Sequence, residues 1–460
     1  LREESDFSRR PVPAPAGGTS GWSWVAGLAA RSPAGAYGWR PILIMATLFF
    51  SIGFVTWLNG PLITFVQVAF ELDDVTSFLV PVCFYLAYFI FPLPATVLTR
   101  RIGLRRGLSL ALVVMAAGTA LFGECVNARW YVGALSGLTV IGAGLSLLQI
   151  TINPYVSLLG GHDRAAQRIA IMGIANKFAG IVAPALFAVI VMPNVGGVAA
   201  DIARTPPGPA REATLAAFTH AVHAPYSAMA GLLLLLAIFT ARARLPEIAI
   251  ETAAPAGGAR GAAQPGWLLT GAFAMFLYVG VEVMAGDAIG LYGRSFGLSL
   301  DVTKYLTALT LAAMMAGYLA GMVLVPRVVD QERYMLLSCV GGILLCLVAM
   351  VAPGMVPVFC VALLGFANAM ILPALFPVVL AEGGPDGGRI TAFLVMAYSG
   401  GAVLPQVFVH LIPLLGTTPA FMVLAIPAYI FIGGWILALR AGGGAGTRRA
   451  APATGRSDTP

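Results

Sequence analysis

The sequence predicts an all-α polytopic membrane protein, with twelve transmembrane helices in two six-helix bundles and both termini cytoplasmic. Composition, the spacing of apolar runs and the placement of positive charge predict it. Of the 460 residues, 59% are hydrophobic and 10% charged, and the mean hydropathy is +0.88. A soluble domain carries about 25% charged residues and cannot cover its surface with so few, which excludes a water-soluble fold. The apolar runs are unbroken and lack a period of two, which excludes a transmembrane β-barrel.

About 20 apolar residues cross a bilayer. Runs of that size fall at 41–68, 75–98, 107–125, 131–158, 168–192 and 219–241, and again at 266–292, 304–325, 334–352, 355–381, 389–411 and 417–439. They are spans 1 to 12 below. The expected organisation is a disordered cytosolic leader (1–40), an N-terminal bundle (41–241), a polar, Ala/Gly/Pro-rich cytoplasmic linker (242–265), a C-terminal bundle (266–440) and a disordered cytosolic tail (441–460).

Positive charge tests the count. With the N-terminus inside, the inner segments hold 21 of the 27 Lys and Arg, and the outer loops hold Arg129, Arg204, Arg211, Arg294 and Lys304. A span too many or too few would invert this asymmetry downstream of the error. The net charge of +7 therefore reads as topology, not as a nucleic-acid footprint. The five cysteines show no CxxC and are expected as free thiols. No metal-ligand spacing appears among the histidines.

An internal repeat supports two equivalent halves. Arg168 and Gly180-Ile-Val-Ala-Pro184 in span 5 recur as Arg389 and Gly401-Ala-Val-Leu-Pro405 in span 11, at an offset of 221 residues. The expected relation is an axis along the membrane normal.

Several segments carry polar chemistry that a lipid-facing helix would not tolerate. The turn between spans 2 and 3 holds Arg100, Arg101, Arg105 and Arg106 around Gly103. Glycine permits a tight turn. The arginines fix the loop in the cytoplasm, and they suit a gate latch on helix carbonyl ends in one conformation. In span 1, Pro61 cannot donate to the Trp57 carbonyl and should kink the helix. Trp57 and Asn59 beside that kink suit a sugar, through stacking and amide hydrogen bonds, or simple interhelical packing.

In span 4, Gln149 and Asn153 are four residues apart and share one helix face, followed by an expected break at Pro154. Two amides on one face read as cavity lining or as interhelical glue. Span 5 carries Asn176 and Lys177, the only basic residue well inside a span. Lys177 lies roughly 13 Å from the cytoplasmic end, a long reach for snorkelling. Span 7 carries Glu282 and Asp287, about 140° apart on the helix. Glu282 is the expected cavity carboxylate: a proton site, part of a sodium site, or a static partner of Lys177. Asp287 lies nearer the outer surface, as a coupling group or a solvated helix end. Asn368, with Pro373 and Pro377, marks span 10 as another broken polar span. Tyr85 and Tyr88 in span 2, and Tyr398 and Gln406 in span 11, are weaker candidates.

These segments resemble a known family. Six plus six helices and the Arg-rich turn resemble the major facilitator superfamily. Gly53-Phe-Val-Thr-Trp-Leu-Asn59, Phe84-Tyr-Leu-Ala-Tyr88, Gly142 through Gln149 running on to Asn153-Pro154-Tyr155, and Tyr278 through Glu282 are similar to its fucose–galactose–glucose symporter group. The resemblance implies the major facilitator fold and a midplane site lined by spans 1, 4, 5, 7, 10 and 11. Two carboxylates of the fucose-permease pattern are absent: Gly60 follows Asn59 where that pattern has Asp, and Gln149 stands where it has Glu. The Asn176-Lys177 pair and Glu282 look more like the glucose, galactose or N-acetylhexosamine branch.

The expected function is import of a neutral hexose or N-acetylated hexosamine across a bacterial inner membrane by alternating access, with H+ or Na+ as coupling ion and no other cofactor. The alternatives are an uncoupled sugar facilitator and an exporter of another small amphipathic solute. Trp57 is expected to stack on the sugar. Asn59, Gln149, Asn153, Asn176 and Asn368 are expected to bond its hydroxyls, Lys177 and Glu282 to bond the substrate or carry coupling, and Asp287 is a further coupling candidate. An enzyme is not expected, because no nucleophile–base pair or metal spacing appears. The expected partners are the lipid bilayer and the sugar alone, with no nucleic acid and a monomeric state.

Overall fold

The structure, a computed structural model, describes residues 39–158, 165–243, 245, 265–325, 328–382 and 387–449. The expected leader up to 38, most of the linker and residues 450–460 lie outside the described residues. Eleven helices among the described residues are long and apolar enough to cross a membrane. The bent pair Asp74–Ile90 and Pro92–Ile102, meeting at 53°, counts as a twelfth when taken as one span. The protein is all-α and multi-pass.

Five spans are interrupted where the sequence weakens the helix. Span 1 runs Trp39–Thr56 and resumes as Asn59–Ala69, so it breaks four residues before Pro61, at the carbonyl that proline cannot satisfy. Span 2 is Leu79–Ile90 then Pro92–Ile102, and span 7 is Pro265–Asp287 then Ile289–Arg294. Span 10 is Val356–Asn368 then Ile371–Glu382, with Pro373 in the first turn of the second piece, where a missing N–H costs little. Span 11 passes from Gly387–Met396 through a 3-10 turn at Ala397–Ser399 into Gly400–Leu415.

The remaining spans are Leu104–Asn127 (3), Tyr131–Leu158 (4), Ala165–Ile190 (5), His223–Arg242 (6), Leu306–Leu324 (8), Gln331–Val351 (9) and Thr417–Arg449 (12). Gly103 turns span 2 into span 3 at φ +83°, a conformation that L side chains rarely adopt. The Asp330 carboxylate accepts from the Arg333 amide at 2.7 Å and caps span 9.

Three expectations need correction. Span 4 runs unbroken through position 154, because Thr151, Ile152, Tyr155 and Val156 on either side are buried and tertiary packing outweighs one lost hydrogen bond. The segment after span 5, read as an outer loop, folds into two helices, Val195–Arg204 and Pro209–His220. Asn194 caps the first by accepting from the Gly197 amide. Span 12 is helical to Arg449, past the expected end at 439.

The two halves meet along two seams. Span 5 packs against span 8, and span 11 packs against span 2. Exchanging the halves turns one pairing into the other, as a duplicated fold requires. Outward positions such as Leu235, Phe239, Leu344, Phe359 and Ile430 are exposed and apolar, the surface that lipid covers. The side bearing Val195–His220 is the cap side below. The opposite side, with the Gly103 turn and the ends of spans 6 and 7, is the linker side.

Candidate functional site

The break at Trp57 lies beside a cavity between the two halves. Both halves line it. Thr56, Trp57, Tyr88, Gln149, Asn153 and Lys177 come from the N-terminal half, and Glu282, Tyr318, Phe376 and Tyr398 from the C-terminal half. Aromatic walls with a few converging polar groups are the composition of a ligand pocket.

At its cap-side end stands a cross-half ion pair. Lys177 Nζ donates to Glu282 Oε1 at 2.7 Å, and both side chains are only 8% exposed. The ammonium also lies 4.5 Å from the centre of the Trp57 ring, in a cation–π contact. Trp57 is held edge-on by two glycines. A Cβ on Gly180 would lie 2.6 Å from its ring, as would one on Gly286. The indole thus crosses from span 1 into contact with spans 5 and 7, under the ion pair. In water such a pair is worth little; buried, it ties the halves together because either charge alone would be stranded.

The polar lining is tethered rather than loose. Gln149 Nε2 donates to the Tyr88 hydroxyl at 3.2 Å, and Asn176 Nδ2 donates to the Phe49 carbonyl at 3.3 Å. The Tyr85 and Tyr88 rings stack at 5.9 Å, and Tyr88 meets Tyr398 across the halves at 5.7 Å.

Beyond Trp57 the cap side is shut by contacts between halves. Arg294 Nη2 donates to Asp74 Oδ1 at 2.8 Å. Gln406 Nε2 donates to the Val75 carbonyl at 3.4 Å. The buried Lys304 ammonium donates to the Met192 and Pro193 carbonyls at 2.7 and 3.1 Å, and to Asp301 Oδ1 at 3.1 Å. Those carbonyls follow the C-terminal end of span 5, where a cation is favoured. The other Asp301 oxygen accepts from the Gly196 amide at 3.2 Å, beside the cap helices. The cavity lining reaches the opposite way, to Val156, Phe376 and Pro377.

Trp57, Gln149, Asn153, Asn176, Lys177 and Glu282 line one cavity. Asn59, Asn368 and Asp287 do not. Asn59 is 1% exposed, past the helix break, on the part of span 1 that packs into the cap side. Asn368 is fully buried, and its Oδ1 accepts from the Tyr429 hydroxyl at 2.8 Å, joining spans 10 and 12. A buried amide needs a partner; span 12 supplies one to the Oδ1, while the Nδ2 makes no hydrogen bond among the described residues. Arg100, Arg101, Arg105 and Arg106 lie on the linker side at the Gly103 turn, where Gly387–Met396 packs on Pro92–Ile102. The segment 383–386 that precedes that helix is outside the described residues. Tyr318 is a lining residue that sequence reading missed. Its signal, a lone tyrosine between Gly317 and Gly321, reads equally well as close helix packing.

The Major Facilitator Superfamily profile matches residues 45–405. The chain belongs to that superfamily. This major facilitator protein is 30% identical over 392 residues to the glucose/galactose transporter of Brucella abortus, covering 84% of this chain and 91% of that protein. It is 25% identical over 407 residues to the L-fucose-proton symporter of Escherichia coli strain K12, covering 85% and 90%. The crystal structure of the major facilitator transporter FucP in the outward conformation shares its fold, with a TM-score of 0.69 at 22% identity, covering 86% and 98%. That of the D-xylose-proton symporter does so at 0.58 and 14%, covering 85% and 96%. The family and these relatives are transporters, so the protein is a transporter and not an enzyme.

Proposed function

We propose that this protein imports a neutral hexose or N-acetylated hexosamine across a bacterial inner membrane by alternating access. The observation that carries this is a cavity lined by both halves whose cap-side end is an ion pair joining those halves. The charges of Lys177 and Glu282 cancel, so the lining offers hydroxyl-bonding groups without net charge, which suits a neutral sugar. Gln149, Asn153 and Asn176 would exchange their present bonds for sugar hydroxyls. Because Trp57 is only 3% exposed under Lys177, its face becomes available for stacking when the ammonium moves aside. The sugar class is that of the similar glucose/galactose transporter and L-fucose-proton symporter.

The cap side is then periplasmic and the linker side cytoplasmic, with both termini inside, as the placement of Lys and Arg demands. Transport is coupled to a cation, with H+ or Na+ as the ion. The arginines at the Gly103 turn act as the cytoplasmic latch. The protein works as a monomer in lipid, with no nucleic-acid partner.

The test is counterflow in proteoliposomes with glucose, galactose, fucose and N-acetylglucosamine. Exchange of at least one sugar is expected; no exchange of any of them overturns the reading. Uptake with the proton and sodium gradients collapsed in turn decides coupling, and indifference to both makes the protein a facilitator.

A further inference from the structure

The two halves differ at a place where the repeat would make them alike. In the C-terminal half, span 7 packs against span 12. Their counterparts, spans 1 and 6, make no comparable contact among the described residues, and an apolar groove lies between them. Buried Ala183, Phe187 and Val191 of span 5 form its floor. The span 1 hydroxyls on its wall, Thr47 and Ser51, each donate at 3.0 Å to a carbonyl of their own helix, so that wall offers a ligand no donor.

The linker-side end of the groove is basic. Ala228, Leu232, Leu235 and Phe239 of span 6 line it at alternating steps of four and three, which is one helix face. Leu232, Leu235 and Phe239 are 67%, 64% and 56% exposed. The next step of that stripe is Arg242, the last residue of the helix. It is exposed and makes no ion pair or hydrogen bond among the described residues. On the opposite wall, the sequence sets Arg40 of span 1 two helical turns before Thr47. The length fits a lipid. From Ala228 to Arg242 the helix rises about 21 Å, and one leaflet with its headgroups is about 20–22 Å thick.

The groove also backs the break in span 1. Val55 and Leu58 line the groove, whereas Thr56 and Trp57 between them line the cavity. The broken span therefore has no span 6 behind its joint to brace it. We propose that the groove between spans 1 and 6 is a binding site for one anionic phospholipid of the linker-side leaflet: an acyl chain lies in the groove and the phosphate meets Arg242. The chain supplies the packing that span 12 gives span 7 in the other half. Basic positions at the mouth of a groove between spans select anionic headgroups. The bound lipid braces span 1 at its joint, whichever solute the protein carries. A lipid that merely surrounds the protein shows neither headgroup preference nor fixed stoichiometry.

The test is native mass spectrometry of the full chain released from bilayers holding equal phosphatidylglycerol and phosphatidylethanolamine with matched chains. One retained phosphatidylglycerol per protein is expected, favoured about fivefold, the factor that one basic residue supplies at a membrane surface. Arg242→Glu is expected to erase the preference. Thr47→Trp, which fills the chain's entrance from an exposed position, is expected to lower retention of both lipids. Leu344→Trp, on the exposed face of span 9, is expected to change neither. Equal retention of the two lipids by the parent overturns the proposal, as does a preference that survives Arg242→Glu. A mass of two chains that Thr47→Trp abolishes gives the groove to a second copy and also overturns it. Thermal unfolding in detergent gives an independent readout. Added phosphatidylglycerol is expected to raise the midpoint of the parent more than that of Arg242→Glu, because a ligand of the folded state stabilises it; equal rises count against the site.

Discussion

Lys177 of span 5 and Glu282 of span 7 meet at 2.7 Å with Trp57 beneath the ammonium, so one buried ion pair joins the halves at the cavity's cap-side end. Removing one partner strands the other charge, at a cost of about 3–5 kcal/mol. Lys177→Met or Glu282→Leu alone should lower the unfolding midpoint sharply. The double variant should recover most of the loss, because no charge is left unmatched. A cycle of thermal-unfolding measurements checks this, and additive losses would show that the charges do not act as a pair.

Gly60 has no room for a side chain in this conformation. Its Cβ would overlap Thr307 Oγ1 at 2.3 Å. Gly60→Asp should therefore destabilise the cap-closed form by about 1–3 kcal/mol. Thr307→Ala, which removes the overlapping atom, should restore part of it. Limited proteolysis of the cap-side segments reports the change, and resistance equal to the parent's would contradict it.

The cap-side latch depends on Lys304. Its ammonium makes three hydrogen bonds, two to carbonyls of the opposite half. Bonds to a charged group contribute about 1.5–3 kcal/mol, so Lys304→Met should open the cap side about 10- to 100-fold more often. Maleimide labelling of Thr64→Cys, a buried position near Gly290, should accelerate accordingly. An unchanged rate would mean the closure is held elsewhere.

The Tyr429–Asn368 bond is structural and lies off the cavity. Tyr429→Phe should cost about 1–3 kcal/mol by leaving a buried amide oxygen without its donor. It should leave the sugar preference in counterflow unchanged. A shifted preference would place Asn368 in the binding site after all.

Gln149 offers a contrasting case inside the cavity. It is half-buried and within reach of the Tyr88 hydroxyl. Gln149→Glu keeps the shape and gives that hydroxyl a carboxylate to donate to, so the variant should fold and add an acid-dependent component to counterflow. Identical pH profiles for variant and parent would refute this.

The fold was legible in the sequence because membrane physics writes it in long apolar runs and in the placement of Lys and Arg. The kink before Pro61 and the turn at Gly103 follow from backbone chemistry alone, and the structure has both. The cavity was legible where an ionisable or amide side chain sat inside a span, as with Lys177, Glu282 and Gln149. What failed was direction. Asn59 and Asn368 carry the same amide as Asn153, and only the packing of neighbouring helices decides which faces the hollow and which faces Tyr429. The cap helices were missed because the segment after span 5, with its Ala, Gly and Pro, has no long apolar stripe. They form instead against span 3, the second piece of span 1 and the short helix Leu300–Thr303 that precedes span 8.

The helix breaks of spans 1, 7, 10 and 11 fall at 57–58, 288, 369–370 and 397–399. Two of those positions, Trp57 and Tyr398, line the hollow itself. The deepest layer of the protein is thus jointed rather than rigid. Its amides should trade hydrogen for deuterium sooner than those of the straight rods nearer the headgroups, reversing the usual order in which interiors outlast surfaces.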